Sequence, residues 1–121
     1  MIHIDYRDPR PIYEQVKDGL RRLVVIGALP AGEKLPSVRE LATTLTINPN
    51  TIQRAYRELE SEGYIVSVPG KGSFAAERRE ENEEHKQELL KKLREVAREL
   101  RWLGMSGEEI AAAIEREDKG T

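Results

Sequence analysis

With 121 residues, the chain has room for one domain of ordinary size or for a small domain with an appendage, and we expect no large separate sensor domain. Hydrophobic residues make up 38% and charged residues 35% of the sequence, which is enough for a compact core with charged helices around it. Because cysteine is absent and neither a bilayer-spanning apolar run nor a secretory signal is visible, disulfides and thiolate metal sites are excluded and a cytoplasmic protein is expected.

The formal net charge of −2 is unevenly distributed along the chain. Residues 1–76 carry ten Lys or Arg against nine Asp or Glu, whereas residues 77–121 carry ten against thirteen. The composition changes at the same place, which predicts two domains, residues 1–76 and 77–121. The first domain is close to neutral, and it can still bind an anionic partner if its basic groups share one face.

The first predicted helix begins at Pro11 and ends at Gly27. Proline is tolerated at a first helical position, and glycine can adopt the left-handed conformation that follows a helix end. Between them, apolar residues recur at helical spacing, namely Ile12, Val16, Leu20 and Leu23. The next segment, LPAGEKLP at 29–36, contains two prolines and a glycine, which predicts a connector with room for a very short strand.

Two short helices are predicted in close succession after the connector. Ser37 and Glu40 form an S-x-x-E capping box that begins the second helix, which runs to about Leu45. Asn48 is a good cap for the third helix, and Pro49 suits its first position. One side of the third helix is apolar, through Ile52, Ala55, Tyr56 and Leu59, and the opposite side is polar, with Asn50, Arg54 and Arg57.

The sequence after Gly63 predicts a β-hairpin, because two β-rich runs, YIVSV and SFAA, flank the turn PGKG. From residue 77 a long charged helix is predicted, with an apolar seam formed by Leu89, Leu93, Val96, Leu100 and Leu103. Gly104 ends this helix, and Ser106 with Glu109 begins a last one whose polar end, EREDKGT, is expected to fray. The predicted fold is mostly α with a small β-hairpin: a winged helix-turn-helix followed by a helical dimerisation tail.

The order of two short helices and a hairpin has a functional meaning. The polar face of the third helix carries amide, hydroxyl and guanidinium groups, which bond to base edges in a major groove wide enough for a helix. Lys71 lies between two glycines at the hairpin tip, where the backbone can approach a sugar-phosphate chain closely. The pattern therefore favours binding to double-stranded DNA.

Four segments resemble the GntR family of transcription regulators: PIYEQV at 11–16, LPAGEKLPSVRELA at 29–42, NPNTIQRAYRELESEGYI at 48–65 and GKGSF at 70–74. They cover most of the first 76 residues. Spacing and residue type agree across the connector, both helices and the hairpin, so the combination is more specific than a single helix-turn-helix pattern. The resemblance implies a DNA-binding transcription regulator that represses or otherwise controls genes, and not an enzyme.

The resemblance also implies individual contacts. Arg39 matches an arginine that commonly reaches DNA in this family, often at guanine. Ser37, Asn50, Thr51 and Gln53 match positions that contact phosphate or base edges, and Lys71 and Gly72 match a wing tip along the minor groove. Arg54 and Arg57 are assigned to DNA by helix geometry, with Arg57 the weaker candidate. Thr46 stands where many relatives have a turn glycine, and a positive φ there would strain a β-branched residue.

The short ending of the chain resembles the YtrA-like subgroup, in which it implies dimerisation and transporter genes as frequent targets. An amphipathic helix with an apolar seam can bury that seam only against its own first domain or against a second copy. We favour a homodimer formed through the five seam residues. This proposed homodimer would place two third helices in successive major grooves of a pseudo-palindromic DNA operator.

Several alternatives remain open at the level of sequence. Arg39 is alternatively an ion-pair partner of Glu33 or Glu40, and Lys71 a solvated turn residue. The whole protein is alternatively a docking module for another protein, or a sensor with a small-molecule pocket between its two domains. Any such effector is unidentified.

The sequence indicates no catalytic motif, cofactor or metal site. Serine, aspartate and glutamate are plentiful, yet no nucleophile-base arrangement, phosphate loop or H-E-x-x-H pattern is present. The charge run at 77–88 is interpreted as an exposed helix, and His85 within it as a solvated side chain. Tyr6 and Trp102 are interpreted as packing residues.

Overall fold

The computed structural model of the chain describes residues 2–77 and 82–120, the last four by their backbone alone. In chain order these residues form α1 (Ile12–Val25), α2 (Val38–Leu45), α3 (Pro49–Glu62), β1 (Ile65–Val68), β2 (Gly72–Ala75), α4 (Glu83–Trp102) and α5 (Gly107–Gly120). The chain divides into two compact units, Met1–Asn82, called here the head, and Glu83–Thr121, called the tail. The predicted fold class, mostly α with one hairpin, is confirmed.

The core of the head joins α1, α2 and α3 to the hairpin. Its largest fully buried side chains are Val16, Leu20, Leu35, Leu41, Ile52, Leu59 and Ile65. Most of them are the apolar positions that helical spacing predicted. Burial of such a side chain contributes about 1.5–3 kcal/mol, so the amphipathic pattern determines which face of each helix packs inward.

The predicted capping signals are formed. The Ser37 hydroxyl accepts from the Glu40 N–H at 3.1 Å, and the Glu40 carboxylate accepts from the Ser37 N–H at 3.4 Å. The Asn48 side chain accepts from the Asn50 N–H at 2.8 Å at the start of α3. α1 begins one residue later than predicted, with Pro11 as its cap residue.

Thr46 forms the turn between α2 and α3 in the left-handed conformation, with φ 56° and ψ 51°. It is the one residue other than glycine with a positive φ in the described part of the chain. The Ile47 N–H donates to the Ala42 carbonyl at 2.9 Å and closes the turn. A β-branched residue is strained in this conformation, so this turn is built at a cost in free energy.

The hairpin, called here the wing, has a third element beside it. β1 and β2 are antiparallel, with Ile65 opposite Ala75 and Val68 opposite Gly72. The connector runs along the other edge of β2: Lys34 forms an isolated bridge with Phe74, and the Leu35 N–H donates to the Ser73 carbonyl at 2.8 Å. The very short strand predicted in the connector is this bridge, and it bonds the segment that enters α2 directly to the wing.

The tail consists of α4 and α5, which pack on each other without burying their apolar side chains completely. Among the tail residues that the structure describes, none is buried. Leu89, Leu93, Val96 and Leu103 are 42–67% exposed. An apolar groove of about 360 Å³ runs between the helices, lined by Leu93, Val96, Ala97, Leu100, Ile110, Ala113 and Ile114. None of the helices in the described ranges has the length and apolar character needed to cross a membrane.

Four details of the sequence interpretation are wrong. Tyr6 is 74% exposed and Trp102 85% exposed, because Tyr6 lies in a turn before α1 and Trp102 is the last residue of α4. The His85 side chain is only 13% exposed, and its Nδ1 lies 3.5 Å from the Glu88 carboxylate. α5 continues to Gly120 instead of fraying, since Glu, Arg and Lys are good helix formers. Part of the charge run, residues 78–81, lies outside the described residues.

Candidate nucleic-acid interface

The polar face of α3 is open to solvent in the chain. Asn50, Gln53, Arg54 and Arg57 are exposed, and Thr51 is half-buried. Because each residue advances about 100° around a helix, Asn50, Arg54 and Arg57 lie opposite the buried stripe that ends at Leu59. The amide and guanidinium groups that the sequence assigned to a nucleic acid therefore share one accessible surface.

Arg54 is drawn toward α1 at the edge of this surface. Its guanidinium lies over the ring of Tyr13, 3.7 Å from the ring centroid, and donates to the Tyr13 hydroxyl at 3.1 Å. It also donates to the Glu58 carboxylate at 3.2 Å, while the side chain stays 56% exposed. Arg57 makes no ion pair with any described residue. Its guanidinium is therefore less restrained than that of Arg54.

A half-buried lysine joins α1 to α3. Lys17 is 14% exposed, donates to Glu58 at 3.0 Å and also bonds to Glu62. Burial alone would lower the pKa of Lys17, but the hydrogen bonds to Glu62 and Glu58 outweigh it and raise the pKa above its usual value. Burial likewise opposes the shift at Glu58, whose pKa is held below its usual value by Lys17 and Arg54. Both groups are therefore charged at neutral pH, and the orientation of α3 is fixed.

The N-terminus of α2 presents Ser37 and Arg39, both exposed. Arg39 has no ion pair within residues 2–77 and 82–120, so its predicted alternative as a partner of Glu33 or Glu40 has no support here. The Tyr56 hydroxyl donates to the Pro36 carbonyl at 2.7 Å, just before the helix cap. Burial, together with the Glu40 carboxylate, raises the pKa of Tyr56 to about 12, so this hydroxyl remains a donor and ties α3 to the start of α2.

The wing tip is a tight turn with its backbone accessible. The Lys71 N–H donates to the Val68 carbonyl at 2.9 Å. Gly70 and Gly72 have φ values of 76° and 118°, which favour glycine. A Cβ added at Gly70 would meet nothing within 4 Å, so a large partner can approach this turn.

The cations of the head are divided into two groups. Within residues 2–77, the part of the head described up to the wing and the residues just after it, there are ten Lys and Arg residues. Five form ion pairs: Arg7, Arg10, Lys17, Arg21 and Arg54. Among the described residues, the other five form none: Arg22, Lys34, Arg39, Arg57 and Lys71. All of these except Arg22 belong to the connector, α2, α3 or the wing, so most of the unpaired cations lie in or next to the segments predicted to bind DNA.

Sequence reasoning missed the residues that hold this surface together. Tyr13 and Lys17 lie 41 or more positions from their partners on α3, and nothing local in α1 indicates such contacts. Tyr56 was identified as an apolar packing residue. The hydroxyl on an otherwise apolar face was the one available signal that it also needs a buried acceptor.

Comparison with known proteins gives a consistent result. Residues 12–74 match the sequence profile described as bacterial regulatory proteins, gntR family. The HTH-type transcriptional repressor YtrA of Bacillus subtilis is 49% identical over 77 residues, which are 64% of this chain and 59% of the repressor. The uncharacterised regulator YhcF of the same organism is 37% identical over 95% of this chain and 96% of its own length.

Solved structures extend the similarity to the whole chain. A transcriptional antiterminator from Listeria monocytogenes superposes with a TM-score of 0.84 and 37% identity, over 98% of this chain and 90% of that one. The DNA-binding domain of AraR, solved in complex with operator ORE1, superposes with a TM-score of 0.54 and 29% identity, over 63% of this chain and 93% of that one.

Proposed function

Because the chain belongs to the gntR family of bacterial regulatory proteins, we propose that it represses transcription as a homodimer bound to a pseudo-palindromic operator. The family, and the similarity to the YtrA-like subgroup, are as the sequence predicted. A DNA-binding transcription regulator of this family acts where its operator is, so we propose that the protein works in the cytoplasm.

The observation that carries the proposal is the distribution of cations in the head. Lys34, Arg39, Arg57 and Lys71 have no ion pair among the described residues, and they belong to the connector, α2, α3 and the wing, the segments next to or within the part of the head predicted to bind DNA. Phosphate binding needs such uncompensated cations, because a lysine or arginine already paired with a carboxylate releases less counterion from the duplex. That a relative with this fold was solved with operator DNA supports the same assignment.

The proposed contacts divide into two kinds. Arg39 and the polar side chains of α3 contact base edges in the major groove, where guanidinium and amide groups form bidentate pairs with guanine and adenine. These side chains are Asn50, Gln53 and Arg57, with Arg54 reaching the duplex from the α1 side. Ser37, Thr51, Lys71 and the backbone of Gly72 contact phosphates, which fix orientation without selecting sequence.

The proposed homodimer forms through the tail. The seam residues Leu89, Leu93, Val96 and Leu100 lie on one side of α4, and Leu103 follows directly after its last residue, Trp102. Leu93, Val96 and Leu100 also line the apolar groove between α4 and α5. Large apolar side chains that are about half exposed in one chain are the usual material of an interface between identical subunits. Two heads held in this way would contact half-sites about one helical turn apart, roughly 34 Å.

Selection of bound sequences from random duplex DNA tests this proposal. We expect enrichment of an inverted repeat whose half-sites are separated by about one helical turn. Enrichment of a single unrepeated half-site would contradict the homodimer, and the absence of any enriched sequence would contradict sequence-specific binding and favour a docking module.

The division of contacts is tested on the selected operator with two variants. Arg39→Ala should cost about 1–3 kcal/mol of binding free energy and relax the preference at one base pair, whereas Lys71→Ala should weaken selected and random duplexes alike. Fluorescence anisotropy on both duplexes measures this difference. Equal losses on the two duplexes for both variants would show that the division is wrong.

A further inference from the structure

Lys34, in the connector before α2, lies against the wing. Its backbone bridges Phe74 across the edge of β2. A Cβ built on Gly72 would lie 2.9 Å from the Lys34 Cε and 3.7 Å from its Nζ. The aliphatic part of Lys34 therefore lies beside Gly72, whose φ of 118° favours glycine at this position.

The direction of Lys34 follows from strand geometry. Residues opposite each other in an antiparallel pair point to the same face, and so do residues two apart along one strand. Lys34 starts opposite Phe74 and extends toward Gly72, two residues nearer the turn. Its ammonium group therefore lies beside the residue that follows Lys71, at the tip of the wing.

No carboxylate neutralises this pair of lysines. Lys34 and Lys71 are both exposed, and neither forms an ion pair within the described ranges. Glu33 precedes Lys34, but alternation along an extended segment directs it to the other face. Two cations at the same end of a sheet, neither of them paired, favour an anionic partner there.

We propose that Lys34 is a second phosphate-binding residue of the wing, which with Lys71 holds the backbone of the operator duplex. This inference rests on the proposed function and adds a residue that the sequence motifs did not assign. The contact is non-specific in sequence, because an ammonium group binds phosphate as a point charge.

The test is the salt dependence of binding to the selected operator. Each phosphate contact contributes about 0.9 to the slope of log affinity against log salt concentration. Lys34→Gln should therefore reduce the slope by about 0.9, or about 1.8 when two copies occupy one operator, on selected and random duplexes alike. Lys34→Arg should keep the slope. The matched control is Arg22→Gln, which removes an exposed cation of α1 that also lacks an ion pair and should leave the slope unchanged.

The outcomes separate the two proposals. If wild type binds the operator and Lys71→Gln reduces the slope while Lys34→Gln does not, the role of Lys34 is refuted and the proposed function stands. An equal reduction by Arg22→Gln would also refute it, because a general charge effect would then explain the result. If wild type binds no duplex, both proposals fail. Thermal unfolding verifies that each variant is folded, and Lys34→Ser provides a second neutral variant.

Discussion

The head and the tail are both built from amphipathic helices, but they use their apolar residues differently. All the buried hydrophobic side chains lie in the head, between Ile2 and Ala76, while no described residue of the tail is buried. In the head the apolar stripes of three helices and a hairpin cover one another. In the tail two helices leave a seam exposed. An amphipathic pattern therefore specifies which face of a helix needs to be covered. The number of elements in the unit decides whether the same chain can cover it.

The largest expected effect tests whether the hydrophobic core of the head provides most of the stability of the chain. Ile52→Ala should lower the free energy of unfolding by about 2–5 kcal/mol, because it leaves a cavity at a side chain with 0% exposure. Ile114→Ala in the tail is the control, and at 50% exposure it should lower that free energy much less. Urea unfolding measures both variants. Similar losses would contradict the assignment of the stable core to the head.

The next effect tests the dependence of the tail on a second copy. Leu93→Glu should weaken the proposed dimer at least about 100-fold, since a charge would be buried without a partner. Lys91→Gln changes the net charge by the same amount on the opposite side of α4 and should leave the dimer intact. Sedimentation measures the association state. A Leu93→Glu variant that stays dimeric would show that the seam is not the interface.

A smaller effect separates the half-buried ion pair of the head from a surface pair of the tail. Lys17→Met should cost about 1–2 kcal/mol of stability at neutral pH. Lys86→Met removes an exposed lysine, 61% exposed and 3.7 Å from Glu83, and should cost little. Chemical denaturation across a pH series measures both.

The same series gives a pH profile with a defined sign. Because the pKa of Glu58 is lowered, the ion pair makes its full contribution to folding stability at pH values above the usual pKa of glutamate. That contribution is lost as the pH falls through the lowered pKa. Because the pKa of Lys17 is raised, the contribution is complete below the usual lysine range and is lost as the pH rises through the raised pKa. If the difference in the free energy of unfolding between wild type and Lys17→Met became smaller at neither low nor high pH, the proposed ion-pair network would be contradicted.

The smallest expected effect concerns the turn in the head. Thr46→Gly should raise the free energy of unfolding by about 1 kcal/mol, because it relieves the left-handed conformation of a β-branched residue. Thr43→Gly, inside α2, should lower it by about 0.3–0.5 kcal/mol, because glycine is a poorer helix former than threonine. Thermal unfolding compares the two variants. A destabilised Thr46→Gly variant would show that the threonine side chain makes contacts worth more than the strain.

Sequence reasoning succeeded where the signal is local. The caps at Ser37 and Asn48, the turn residues around Lys71 and the apolar spacing of α1 and α3 each involve neighbours within a few positions. It failed where a contact joins distant segments: the cation-π contact of Arg54 with Tyr13, and the contact of Lys34 with the wing, depend on the assembled head. Exposed aromatic residues such as Trp102 were misjudged because composition does not state which apolar residues find a partner within one chain.

The hydrogen bonds between the connector and β2 fix a length inside the head. Leu35 is bonded to Ser73 on the wing, and Pro36, the next residue, is held by Tyr56 of α3. Arg39 and Lys71 are therefore held at a fixed distance from each other within the head. If Arg39 contacts a base edge as proposed, Lys71 would meet a phosphate at a fixed distance from that base, whatever the sequence between them.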